Sequence, residues 1–204
     1  MHWGRKMPEF VKDYFNQLKQ TIDNMSVEDT KKAVDIIYNA YKENRQIFII
    51  GNGGSATTAS HLACDLNKGT IQRVYDSNER RFRVISMADN ISILTAYAND
   101  LSYDDIFSQQ LKNLVNKGDV VISITGSGNS KNIINGIKTA AELGAVNVAF
   151  LGFEGGEAKT LVDHQVLVPS DHYGRIEDLH MVLCHLISTY ITDMKKKESK
   201  SESN

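Results

Sequence analysis

His61 and Asp65 stand four residues apart in a segment with a helical pattern, so their side chains share one face. An imidazole beside a carboxylate is a pair that can move protons. Just ahead of them runs Gly51-Asn52-Gly53-Gly54-Ser55, and before that the apolar stretch Ile47-Phe48-Ile49-Ile50, which reads as a buried strand. The order is therefore strand, Gly-rich turn, helix start. Glycines let backbone N–H groups approach a ligand closely, and Ser55 falls where a helix N-cap is expected. Free N–H groups at a helix N-terminus beside a small hydroxyl form an anion site, most often for phosphate. Together these residues point to chemistry on a phosphorylated small molecule. They also suit a tight strand–helix turn with a surface His/Asp pair, and Gly-Asn-Gly-Gly alone does not decide between the two.

A second loop repeats the logic. Asp119-Val120-Val121-Ile122-Ser123-Ile124 reads as a strand, Thr125-Gly126-Ser127-Gly128-Asn129-Ser130 as a turn, and Lys131 to Leu143 as a helix closed by Gly144 at C′. Three hydroxyls, on Thr125, Ser127 and Ser130, match the three oxygens of a phosphate monoester. Ligands of open parallel sheets bind beyond the C-terminal strand ends, and both loops sit at such ends. Two loops of this kind favour phosphate over a turn without a ligand.

The remaining elements must hold these loops in place. Pro8 opens a helix with apolar spacing through Met25, and Ser26 with Asp29 caps a second. This N-terminal hairpin, residues 1–45, either packs on another subunit or closes the domain's own core. Further strands are expected at Arg83–Met87, Val146–Leu151 and Gln165–Val168. Helices are expected at Asn90–Asn99, at Tyr103–Leu114 and from Arg175 to about Lys195, with Asn99-Asp100 as a polar break. Strand–helix alternation implies an α/β domain over 46–195, with a parallel sheet covered on both faces. The tail 196–204, charged and small, is expected to be disordered.

Composition excludes several classes. The formal net charge of −2 leaves no basic footprint for nucleic acid or membrane. No apolar run reaches the roughly 20 residues of a membrane helix. Met1-His2-Trp3-Gly4-Arg5-Lys6 is not followed by an apolar stretch, so no signal peptide is expected. Cys64 and Cys184 are too few for a disulfide framework. They read as small buried hydrophobes in a reducing cytoplasm.

GNGGSA followed by a His and an acid, YANDLSYDDIFSQQL, TGSGNS, and RIEDLH…H in the last helix together resemble the sugar isomerase (SIS) domain family, in particular its phosphoheptose isomerases. The resemblance spans Phe48 to Ile191. It implies a doubly wound five-stranded parallel sheet, a homotetramer and a sugar-phosphate ligand at a subunit interface. The implied reaction converts sedoheptulose 7-phosphate to D-glycero-D-manno-heptose 7-phosphate for surface polysaccharides, with zinc in several members and no organic cofactor. Substrate contacts implied by the resemblance are Asn52, Gly53, Gly54, Ser55, Asp65, Asn99, Asp100, Thr125, Gly126, Ser127, Ser130 and Glu177. Metal ligands would be His61, Asp65, Glu177 and His185, and catalysis would fall to Asp65 and His185. The chain departs from the family pattern at four positions. Asp65 stands for Glu, Glu177 for Gln, Gly174 for Asp and Gly126 for Thr.

Ketose–aldose isomerisation moves one proton between adjacent carbons and one between their oxygens. A carboxylate such as Asp65 can take the carbon-bound proton to give an enediol, and His185 can serve the oxygens. Asp is about 1.5 Å shorter than Glu, and a misplacement of about 1 Å can lower rates a hundredfold. Asp65 therefore needs either a compensating helix shift or a different substrate. The residue types of these four candidate ligands suit zinc. The alternative function is a non-catalytic sugar-phosphate-binding tetramer acting as a regulator or adaptor, since one branch of the family binds the replication initiator. The carboxylate at Asp65 and imidazole at His185 favour the enzyme. Finally, Glu177 and His185 lie about 12 Å apart along one helix, too far to share one ion. A site using both is expected to be completed by a neighbouring chain.

Overall fold

The computed structural model of the chain describes residues 6–201. Met1–Arg5 and the last three positions of the expected tail lie outside the described residues.

Five parallel strands form one sheet: β1 (Gln46–Gly51), β2 (Arg83–Ser86), β3 (Val120–Thr125), β4 (Val146–Leu151) and β5 (His164–Leu167), in the order β2-β1-β3-β4-β5. Side chains alternate between two faces along each strand. Ile47, Ile49, Ile122, Ile124 and Phe150 pack into one core with α2 (Val27–Lys42), α3 (Gly54–Cys64) and α7 (Tyr173–Ser201). Phe48, Ile50, Val121, Ala149 and Leu151 pack into the other, with α5 (Ile106–Leu114) and α6 (Lys131–Glu142). Both faces are covered, which is why these strands read as unbroken apolar runs. The doubly wound α/β fold expected from the sequence is the fold observed. β2 is one of the two edge strands, and its exposure alternates accordingly.

The hairpin divides. Ser26 caps α2 as expected, its hydroxyl accepting from the Asp29 amide at 3.1 Å. Ala33, Val34 and Ile37 of α2 belong to the main core. By contrast α1 (Met7–Asp23) leaves Phe10, Phe15 and Ile22 exposed.

Three expectations are corrected. Asn99 and Asp100 are not a break but the last residues of α4 (Ile91–Asp100), and the chain turns at Leu101 instead. The final helix starts two residues earlier than expected and runs to Ser201, so 196–201 is helical where disorder was expected. Its Lys and Glu residues are good helix formers. Lys195, 6% exposed, anchors it by donating to the Thr70 carbonyl at 2.8 Å and to Glu79 at 3.2 Å. Cys184 is buried, but Cys64 is exposed, because its position on α3 faces away from both cores.

His180 is buried on α7 with Nε2 on the Leu151 carbonyl at 3.1 Å. Burial pulls its pKa down from 6.5 to about 4, with the carbonyl partly opposing. The folded state thus favours the neutral ring. Its contribution is full above pH 6.5, falls as pH drops, and is lost below pH 4. A shift of that size corresponds to about 3 kcal/mol. Denaturant melts of His180→Gln should therefore show a flatter stability profile than the parent between pH 6.5 and 4. An equally steep profile in the variant would assign the acid sensitivity to other groups.

Candidate active site

The strand order places the site. The chain leaves β1 for β2 at one edge and returns to β3 on the other side of β1, so a crevice opens between the C-terminal ends of β1 and β3. The loops Gly51–Ser55 and Thr125–Ser130 lie at those two ends.

In the first loop the chain turns so tightly that a Cβ on Gly51 would lie 2.6 Å from the Ser55 carbonyl oxygen. Gly53, with φ 54° and ψ −122°, is the N-cap of α3, so Ser55 is not the cap as expected but the second helical residue, and it is buried. The side chain of Asn52 is taken up by the scaffold. It exchanges two 2.8 Å hydrogen bonds with the buried Asn132 amide on α6, and its oxygen also accepts from the Tyr103 hydroxyl at 3.0 Å. This amide pair fastens the first loop to the helix that follows the second.

The second loop is braced from behind. Thr125 Oγ1 accepts from Gly128 N at 3.2 Å, and Ser127 Oγ from Asn129 N at 3.3 Å. Ser130 is the N-cap residue of α6, and its hydroxyl makes no capping bond. Gly128 has φ +65°, and a Cβ there would stand 2.0 Å from the Gly155 oxygen. The Gly155–Gly156 turn continues into Glu157 and Ala158, whose amides bond the Asn129 side chain and the Gly128 carbonyl, both at 2.9 Å.

Helices α3 and α7 run side by side in the same direction, with partners offset by 123 or 124 positions. Glu177 lies over Gly54, with both carboxylate oxygens 3.3 Å from where a Cβ would be. Two turns on, His61 Nε2 meets His185 Nε2 at 2.9 Å, so one imidazole donates to the other. Asp65 Oδ2 lies 3.4 Å from His61 Nε2 and 3.4 Å from the Ser188 hydroxyl, which donates to it. One donor atom from each of His61, Asp65 and His185 falls within 4.8 Å of the others, a group able to hold a metal ion. Asp65 opens a π-turn (Asp65–Gly69), a widened geometry frequent at functional sites. Lys195 and Glu79 clamp the Thr70 segment that follows it.

The predicted residues thus separate into two sets. Gly53, Gly54, Ser55, Thr125, Gly126, Ser127, Ser130 and Glu177 border the crevice. His61, Asp65 and His185 form the titratable trio, and Glu177 is not part of it. Asn99 and Asp100 are exposed and bonded to each other at 2.9 Å. Asn132, Tyr103 and Ser188 were not legible as site residues. Only Asn132, two residues past Ser130 at a helix start, carried a hint. A separate cavity of about 730 Å³, lined by Ser60, Cys64, Asn67, Ser86 and Asp89, contains none of the predicted residues.

A doubly wound sheet with two Gly/Ser loops at its switch point and a His/Asp/His group alongside defines a class. The sequence profile of the SIS domain matches residues 12–152, and the chain belongs to the SIS domain family. Within it, the chain is 35% identical to a probable phosphoheptose isomerase of Thermoplasma acidophilum, covering 90% of this chain and 98% of that one. It is equally identical to a phosphoheptose isomerase of Aquifex aeolicus, covering 92% and 97%. The solved phosphoheptose isomerase of Neisseria gonorrhoeae superposes with a TM-score of 0.83 at 29% identity, over 92% of this chain and all of that one.

Two glycine substitutions separate strain from clash. Gly53→Ala meets nothing within 4 Å and bears only the unfavourable backbone, about 1–3 kcal/mol. Gly128→Ala adds the collision with Gly155. Thermal melts should show the larger loss for Gly128→Ala, and equal losses would mean the brace yields freely.

Proposed function

We propose that the chain is an aldose–ketose isomerase of sugar phosphates, interconverting sedoheptulose 7-phosphate and D-glycero-D-manno-heptose 7-phosphate for surface polysaccharide synthesis. The observation that carries this is the His61–Asp65–His185 trio in a chain that also carries a two-loop anion crevice and whose relatives are phosphoheptose isomerases. A module that only binds its ligand has no need of the trio.

The loops bind the phosphate through helix N–H groups and the Ser55, Thr125, Ser127 and Ser130 hydroxyls. Asp65 takes the proton from the carbon next to the carbonyl, giving the enediol, and returns it to the former carbonyl carbon to complete the aldose. His185 moves the proton between the two oxygens, and His61 orients both partners. The trio also fits a divalent cation such as zinc. Donors about 2.0–2.1 Å from a tetrahedral ion stand roughly 3.3 Å apart, close to the 2.9 and 3.4 Å separations here. A bound cation would polarise the carbonyl and stabilise the enediolate.

The two sets of residues also argue for assembly, as a homotetramer. Along α3, His61 lies about 10 Å and Asp65 about 16 Å from the anion-binding end at Gly54. Beside His185, Val182, Leu186 and Tyr190 form an exposed apolar strip at four-residue spacing, and α1 exposes another. A second copy covering these strips would bring its own loops, and its Glu177, toward the trio. The loops of one copy and the trio of another would then serve one substrate.

A coupled assay with sedoheptulose 7-phosphate tests the reaction. Asp65→Asn should stop solvent deuterium incorporation into substrate while leaving phosphate binding intact. Exchange at the parent rate would remove Asp65 from the mechanism. Replacing Ser55 and Ser127 together by Ala should weaken sugar-phosphate binding by several kcal/mol, at about 1.5–3 for each hydrogen bond to a charged group. Calorimetry showing unchanged affinity would count against the crevice. Subunit mixing tests the sharing. A Ser55/Ser127 variant reassembled with a His185→Ala variant should regain activity, whereas Asp65→Asn with His185→Ala should not, because those two residues sit in one trio. The reverse pattern would overturn the arrangement.

A further inference from the structure

We infer that Tyr173 is a specificity-determining residue of this site, its ring forming an aromatic wall over the second loop against which the carbon chain of a sugar phosphate lies. The inference rests on the sugar-phosphate reading above and adds a residue to it.

The position of the ring carries the argument. Tyr173 is the first residue of α7. Its ring carbons Cε1 and Cδ1 lie 3.2 and 3.3 Å from where a Cβ on Gly126 would stand. Gly126 is not among the residues with positive φ, so its backbone does not require glycine. A side chain there would meet the Tyr173 ring, which would have to give way by a few tenths of an ångström even for a Cβ. Any larger residue at 126 would push the ring away from the loop. One turn along the same face of α7, Glu177 lies over Gly54 of the first loop. The first two turns of α7 therefore roof both loops, one with an aromatic face and the other with a carboxylate.

The ring is held from behind. Phe153 meets it edge to face with centroids 4.8 Å apart. Phe153 itself has φ 49°, a left-handed conformation unusual for a bulky residue, fixed in part by its amide bonding the Ser170 carbonyl at 3.1 Å. Behind α7, a Cβ on Gly174 would stand 3.1 Å from the His172 ring and 3.3 Å from the Tyr14 hydroxyl, and Tyr14 bonds Asp178 at 2.8 Å. Yet Tyr173 remains 56% exposed. A large side chain fixed on two sides and open on the third, at the rim of a polar anion crevice, offers an apolar surface to whatever is attached to the anion. Small-molecule sites commonly combine a few placed polar groups with aromatic walls in this way. Inorganic phosphate would fill the loops without reaching the ring. A phosphorylated sugar would bring its C–H groups against it.

The test compares two probes. Tyr173→Ala should raise KM for sedoheptulose 7-phosphate about tenfold or more, and Tyr173→Phe should stay within threefold of the parent. The inhibition constant of inorganic phosphate should change less than twofold in both. Gly126→Thr should also raise KM in the parent background, but by clearly less in the Tyr173→Ala background, where the ring is gone. Thermal melts check that the variants fold. A folded Tyr173→Ala enzyme with unchanged sugar-phosphate KM would overturn the inference, as would an equal loss of affinity for inorganic phosphate. If the parent itself binds inorganic phosphate but no phosphorylated sugar, the functional reading fails, and the wall with it. A parent that turns over sugar phosphate while Tyr173→Ala matches it refutes the wall alone.

Discussion

The parallel packing of α3 against α7 sets the position of every candidate group. The contacts 54 with 177, 61 with 185 and 65 with 188 keep one register along both helices. Equal rise per residue in two straight helices makes that register self-consistent, so fixing one contact fixes the rest. The buried inner faces supply the attraction. Leu62 and Leu66 on one segment and Leu183, Cys184 and Ile187 on the other share the core with β1 and β3. The polar groups ride on the outer edge of this seam. They gain a defined geometry from apolar packing that does none of the chemistry itself.

Where the seam meets the sheet, a second constraint takes over. β1 and β3 are neighbours only because the chain reverses its strand order there, and the reversal leaves the two loop ends unobstructed. The Asn52–Asn132 amide pair then locks one loop to the other side of the crevice. Both members are uncharged, so the pair adds rigidity without adding a field that would repel an anion. Glu177 is the exception, a carboxylate over the N-terminal end of α3. A helix N-terminus favours negative charge, so the scaffold stabilises that group in the absence of substrate. A phosphate entering the same region would meet its charge.

Much of this was legible in the sequence, for reasons that are specific. The strands were readable because a sheet buried on both faces leaves uninterrupted apolar runs, as at 47–50 and 120–124. The loops were readable because Gly and Ser cluster just where those runs stop. His61 and Asp65 could be paired because four-residue spacing is a local property. The misreadings were tertiary in origin. Asn99-Asp100 looked like a break because polarity was taken for a turn, whereas α4 has no buried residue at all and is amphipathic only against its neighbours. The end of α7 looked disordered by composition, but Lys195 reaches Thr70 and Glu79, more than a hundred residues away in sequence. No local pattern shows such a partner. The same holds for Tyr173 and Gly126, whose complementarity exists only once α7 has folded back over the second loop.

Asp65 raised the question of whether a side chain one methylene short could still take part. The carboxylate reaches 3.4 Å from both His61 and Ser188, so its shorter arm has not removed it from the group. Two features account for this. The first is the i, i+4 relation to His61, which sets the carboxylate beside the imidazole whatever the helix does further on. The second is the clamp on the segment after the π-turn, where a buried lysine and carboxylate hold Thr70 in place. A buried ion pair adds little net stability, because desolvation offsets most of the attraction, but it permits few alternative arrangements. Here that restriction falls on the residues that follow Asp65. The short carboxylate is therefore set into a backbone fixed on both sides, by the α3–α7 seam before it and by the Lys195 clamp after it.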